Sequence, residues 1–173
     1  GNRQLMEFDR AGRYVRSLGH GLFRDPHGLR IDAYDNIWTT DLEAHVVLKL
    51  SPEGQVLMVL GENGTSGLYN EARGLIRFFK PADVAFGRNG DLYIADGYGN
   101  HRMVHLDRYG KLIRTWGEQG PEPGNFNNPH NVVVDHRGRV YVADRHNARI
   151  QVCDGEGTFL EEWTNLGKPW GLA

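Results

Sequence analysis

Cysteine is almost absent from this chain of 173 residues, with Cys153 the single one. It has no partner for an internal disulfide, so packing must hold the fold, and the compartment stays open, secreted and periplasmic locations included. Long apolar runs are missing too. Nothing approaches the roughly 18 uninterrupted apolar residues that span a bilayer, and no basic-then-apolar leader opens the chain, so it reads as soluble, without a membrane partner, and either mature or trimmed. There is no surplus of positive charge: 20 Lys and Arg stand against 22 Asp and Glu, a formal net charge of -2. That balance gives no clustered basic surface for nucleic acid. Nucleophile elbow, HExxH, Walker loop and dinucleotide fingerprint are all lacking, which leaves hydrolytic triads and nucleotide chemistry without a local motif.

Glycine, by contrast, is plentiful: 23 glycines and 7 prolines, with little helical periodicity, predict many tight turns and short strands. A Pro-x-x-aliphatic opening recurs at Pro26-His27-Gly28-Leu29, Pro81-Ala82-Asp83-Val84, Pro129-His130-Asn131-Val132 and Pro169-Trp170-Gly171-Leu172. Behind each of the first three come four short apolar runs separated by turn residues, here termed strands A to D. Units of roughly 40 to 50 residues with four strands predict an all-β fold of propeller blades, because one blade cannot bury both its faces and must stack on neighbours. The predicted units are a partial blade at 1–24, blades at 25–80, 81–128 and 129–168, and the start of another at 169–173. Such a run is expected to be part of a six-bladed ring, completed by further blades or by a second copy of the chain. The longer connection at 61–80 is expected to be a loop between strand D and the next strand A.

Asp41, Asp96 and Asp144 close strand B in every unit, and a carboxylate repeated in this way is expected to accept backbone N–H bonds in the following turn rather than to bind a ligand. Trp38, Trp116 and Trp163 are expected to pack between blades. His45 and His101 are expected to bond within the B–C turn, and His20, His105, His136 and His146 to be surface or inter-blade residues.

What departs from the repeat points to chemistry. In an antiparallel A–B pair the start of A and the end of B share one edge of the sheet, so with A innermost both face one mouth of the channel. His27 and His130 open strand A in blades two apart, where the other openings have Ala82 and Trp170. Tyr98 and Arg145 follow strand B at the same rim. Two imidazoles, a phenol and a guanidinium converging there suit a metal site, since neutral imidazole ligates zinc and related ions, although two histidines are one short of an open catalytic set.

The strings Asp96-Gly97-Tyr98-Gly99-Asn100-His101-Arg102 and Asp144-Arg145-His146-Asn147-Ala148-Arg149-Ile150 resemble NHL repeats. From about Pro26 to Trp163 the chain is similar to the catalytic propeller of the peptidyl-α-hydroxyglycine α-amidating lyases, in Pro26-His27-Gly28-Leu29, Asn36-Ile37-Trp38, Asp96-Gly97-Tyr98, Trp116-Gly117-Glu118, Pro129-His130 and Ala143-Asp144-Arg145. The resemblance implies zinc held by His27 and His130, Tyr98 as catalytic base, Arg145 as the active-site cation facing a substrate carboxylate, and a structural calcium touched by the backbone carbonyl of Leu29. It implies cleavage of a peptide or small hydroxylated amide to the amide and glyoxylate. The family's third zinc histidine and its neighbouring calcium aspartate belong to a later blade, and an upstream substrate arginine has no match. Its two disulfides are absent, with Gly99 and Val152 at two of those positions and Cys153 one place away. Two further readings compete: a non-catalytic NHL propeller that binds proteins or senses a ligand, and a calcium-dependent propeller hydrolase, which would need convergent carboxylates at the rim.

Overall fold

The computed structural model describes residues 4–70 and 72–173, so the first three residues of the expected 1–24 unit, and position 71 within the expected 61–80 loop, lie outside it. Leu5–Phe8 (β1) and Tyr14–Leu18 (β2) form an antiparallel pair. Pro26–Ile31 (β3), Ile37–Asp41 (β4), Val46–Leu50 (β5) and Val56–Gly61 (β6) follow as a four-stranded antiparallel sheet in sequential order. Two more sheets repeat this plan: Asp83–Phe86 (β9), Leu92–Asp96 (β10), Arg102–Leu106 (β11) and Leu112–Trp116 (β12), then Pro129–Val134 (β13), Val140–Asp144 (β14), Arg149–Cys153 (β15) and Phe159–Trp163 (β16). These are the blades that the repeat predicts. The 61–80 connection is less irregular than expected, since Tyr69–Asn70 (β7) pairs with Leu75–Ile76 (β8) within it. Ile76 and Phe78 of the same connection are buried.

Strands B and C are hidden on both faces, as all five residues of β10, β11 and β15 are buried, whereas the outer strand β16 is largely exposed. The core therefore lies between sheets. Val47 and Leu60 of the first sheet meet Val84, Ile94 and Val104 of the second, and Ala85, Ala95 and Met103 of the second meet Val132, Val140 and Val142 of the third. Burying each of these larger apolar side chains stabilises the stack by roughly 1.5–3 kcal/mol, so neighbouring blades hold one another in place.

The strand B aspartates are the second fastening. Asp41 accepts the backbone N–H groups of Arg24, Asp25, Glu43 and Ala44. Asp96 accepts from the Phe79 N–H, Asn100 and Arg102, and Asp144 from the Asn127 N–H, Asn147, Arg149 and Gln151. All three are fully buried, which agrees with the structural role that their repetition predicts.

Several expectations for single residues need correction. His45 and His101 do not bond inside their turns: each Nδ1 faces the backbone N–H of the residue before the next opening proline, Lys80 at 3.3 Å and Asn128 at 3.3 Å. The reason is backbone geometry, since both histidines have positive φ, 58° and 54°, which swings the ring toward the neighbouring sheet. His105 is neither surface nor inter-blade; it is buried, bonds Asp91 at 3.0 Å and stacks on Tyr93 of its own sheet. Trp116 does reach the next blade, as expected, where it lies against Gly157, and Trp163, on the outer strand of the last described sheet, packs on Tyr141.

Candidate functional site

Both histidine-bearing strands begin irregularly. The A–B register slips between Pro26 and Leu29 and again between Pro129 and Asn131, while β9, in the sheet whose opening has Ala82, pairs without a slip. A bulge re-aims the side chain it contains, and here the two bulges span His27 and His130. The two imidazoles meet edge to face with ring centres 4.9 Å apart. So the two residues read from the sequence as converging do converge.

Each ring is oriented by a backbone carbonyl of the next Pro-x-x-aliphatic opening. Nδ1 of His27 lies 2.9 Å from the carbonyl oxygen of Ala82, and Nδ1 of His130 lies 2.9 Å from that of Trp170. A carbonyl only accepts, so each Nδ1 must carry the hydrogen, and in the neutral imidazole the lone pair sits on Nε2. Both Nε2 atoms point at one atom: the Tyr98 hydroxyl oxygen is 3.1 Å from that of His27 and 2.9 Å from that of His130. One hydroxyl has one hydrogen for two acceptors. With neutral rings, one lone pair is left facing the phenol oxygen unless a proton or a cation supplies the missing positive charge.

Tyr98 and Arg145 occupy one structural phase, although the strings that contain them differ in length. The Tyr98 N–H bonds the Lys80 carbonyl, the Arg145 N–H bonds that of Asn128, and Leu42 does the same with Asp25. In each case the acceptor precedes the opening proline. The second unit reaches this alignment by one extra residue, Gly97, packed so tightly that a Cβ there would lie 1.9 Å from the Pro129 carbonyl oxygen. Any side chain would force Tyr98 away from His130. Gly28 plays a related part, since a Cβ would come within 2.7 Å of the Ala82 oxygen that orients His27.

Burial pushes the Tyr98 phenol above its usual pKa, with the Arg145 charge opposing this and Asp25 adding to it. Burial also holds His130 below the usual imidazole value, with a bond to the Trp170 carbonyl working the other way and the His27 and Arg145 charges adding to the depression. His130 is therefore expected to titrate below 6.5 in ion-free protein, as an NMR pH titration of its ring protons will register. Because its folded pKa is depressed, folding loses support as the pH falls through the ordinary imidazole range. Arg145 stacks on Trp170, its Cζ 3.3 Å from the ring centre, and its buried Nε has no hydrogen-bond partner among the described residues. Leu29 lines the cavity beneath the histidines, about 230 Å³, together with Arg30, Asp83 and Asn131. Among the described residues no third His, Cys, Asp or Glu joins the pair as a metal-binding group.

Sequence reasoning did not identify the Ala82 and Trp170 carbonyls, Gly97, or the Arg30–Asp83 pair as parts of this region. Carbonyls carry no sequence signal at all. The extra residue at Gly97 was a usable one, because the other two units have no counterpart.

The NHL repeat family model matches residues 78–106 and 126–153. Over 145 residues the chain is 40% identical to the mouse peptidyl-glycine alpha-amidating monooxygenase, covering 79% of this chain and 14% of that protein. A probable peptidyl-alpha-hydroxyglycine alpha-amidating lyase of Caenorhabditis elegans is 35% identical, covering 87% and 43% of the two chains. The human NHL repeat-containing protein 3 is 37% identical, covering 94% and 48%. The chain thus spans less than half the length of each of these relatives. Among solved structures, virginiamycin B lyase from Staphylococcus aureus superposes with a TM-score of 0.67 at 13% identity, covering 97% of this chain and 52% of that one, which speaks for the propeller fold alone. The chain is a run of NHL-repeat β-propeller blades, similar over most of its length to the peptidylglycine α-amidating enzymes.

Proposed function

We propose that this chain carries the reactive rim of a metal-dependent carbon–nitrogen lyase, one that splits a peptide ending in α-hydroxyglycine into the peptide amide and glyoxylate. The observation that carries the reading is the pair of Nε2 lone pairs of His27 and His130 facing one phenol oxygen, with each Nδ1 tied to a carbonyl. A backbone acceptor on the far nitrogen is the usual support of a metal-bound imidazole. The donor set fits zinc, with His27 and His130 as protein ligands and further positions left for others. The similarity to the mouse amidating monooxygenase and the probable C. elegans amidating lyase points the same way.

Zinc in this position would acidify a hydroxyl brought to it. Tyr98, within hydrogen-bonding distance of both rings, is placed to take that hydroxyl proton. As the proton leaves, the hydroxyl carbon becomes the aldehyde carbonyl of glyoxylate, the bond from that carbon to nitrogen breaks, and the departing amide nitrogen takes up a proton. Arg145, steadied on Trp170, offers planar N–H donors to the substrate carboxylate. Burial favours the neutral phenol, so Tyr98 serves as a base once a cation at the imidazoles offsets that effect.

The test is metal analysis of the purified protein together with glyoxylate release from an N-acylated α-hydroxyglycine. About one zinc per chain with glyoxylate produced supports the lyase. Neither zinc nor glyoxylate overturns it and favours a non-catalytic NHL module, a reading that the similarity to NHL repeat-containing protein 3 supports. Tyr98→Phe is expected to lower kcat by about 10²- to 10⁴-fold with zinc retained, the usual range for loss of a general base.

A further inference from the structure

Beneath the two histidines lies a cluster that the proposed reaction does not use. Arg30 on β3 donates from Nε to Oδ1 of Asp83 at 3.1 Å and from Nη2 to Oδ2 at 2.6 Å, and Nη2 also approaches the Val132 carbonyl at 3.4 Å. The same Asp83 Oδ2 accepts from Asn131 Nδ2 at 2.6 Å and from the Val132 N–H at 3.1 Å. Asp83 is on β9, and Asn131 and Val132 are on β13, so a single ion pair laces the innermost strands of three sheets. Asp83 is 2% exposed and the Arg30 side chain 26%.

This is also the cavity onto which Leu29 opens. Calcium takes six to eight oxygen ligands. Among the described residues no cluster of three acids or histidines is placed to hold a metal, and Asp83, the carboxylate nearest to hand, is already met by four N–H donors, two of them from a cationic group. The donors present do not fit calcium.

We infer that Arg30 is a built-in channel cation. Its guanidinium neutralises Asp83 and ties the inner strands together, so the fold and the approach of His27 to His130 do not depend on a channel metal. The link to the site is direct in the chain. Asp83 follows Ala82, whose carbonyl orients His27, and Asn131 follows His130. Arg30 is accordingly a positioning residue, and its effect belongs to the scaffold whether or not the rim is a lyase.

The test is thermal melting of zinc-free protein, unsubstituted and Arg30→Ser, each in chelator and in millimolar calcium. The unsubstituted protein is expected to melt at one midpoint in both buffers. Arg30→Ser is expected to melt about 10 °C lower in chelator, the shift that loss of one partner from a buried pair produces in a chain of this size. Part of that loss should return in calcium, which the freed Asp83 carboxylate would attract. A midpoint that rises by several degrees when calcium is added to the unsubstituted protein overturns the inference, as does Arg30→Ser melting like its parent. Should the serine variant not fold, Arg30→Lys in the same two buffers decides: a lower midpoint supports the forked tie, and an unchanged one sinks it.

Discussion

Replacing His27 and His130 together with alanine is expected to abolish stoichiometric zinc binding and to cut glyoxylate release by at least about 10³-fold, the rate equivalent of the several kcal/mol that a bound metal contributes. The fold should survive, because His27 is exposed on β3 and His130, though buried, packs on His27, Tyr98 and Trp170 at the rim. Two measurements on one preparation therefore separate site from scaffold. Zinc and activity should vanish while the melting transition stays cooperative. Zinc retained at full stoichiometry in the double variant would remove both histidines from the proposed metal site.

The second large effect concerns stability. Asp144→Ala deletes the acceptor for the Asn127 N–H at 2.6 Å, Asn147 at 2.8 Å, Arg149 at 2.8 Å and Gln151 at 3.2 Å. Arg149 would be left 6% exposed with one of its two carboxylate partners gone, although Glu162 at 2.8 Å still meets its other edge. Removing one partner of a buried pair costs about 3–5 kcal/mol. For a chain of this length that is a fall in Tm of roughly 6–20 °C. Arg145 directly follows Asp144, so activity should decline with stability at temperatures where the fold still holds. A variant that melts within a degree or two of its parent would show that the strand B aspartates are not the fastenings that their burial suggests.

Much of the architecture was legible because a repeat is a local message written several times. Pro-x-x-aliphatic openings, glycine turns and the strand B aspartate each act over a few residues, and their recurrence located the sheets and the structural role of Asp41, Asp96 and Asp144 without any knowledge of long-range contacts. Departures from the repeat then singled out His27, His130, Tyr98 and Arg145. Errors fell where the decisive partner belongs to another blade or has no sequence signature. His45 and His101 turn toward the neighbouring blade through a positive φ, and His105 finds Asp91 in the turn that precedes β10 of its own blade. The hairpin of β7 and β8 was missed because its two-residue strands are too short to show a period.

By itself, the sequence determined the blade repeat, the strand order within each blade and the identity of the four side chains at one rim, since all of these follow from short-range backbone preferences and from which residues break a pattern. Tertiary structure alone decided that two imidazoles 71 and 32 residues away from Tyr98 present their lone pairs to its hydroxyl. It also decided that the carbonyls of Ala82 and Trp170 fix the tautomers, and that Arg30 pairs with Asp83 in the cavity below. Those outcomes depend on distances between blades, and such distances are set by how the sheets stack.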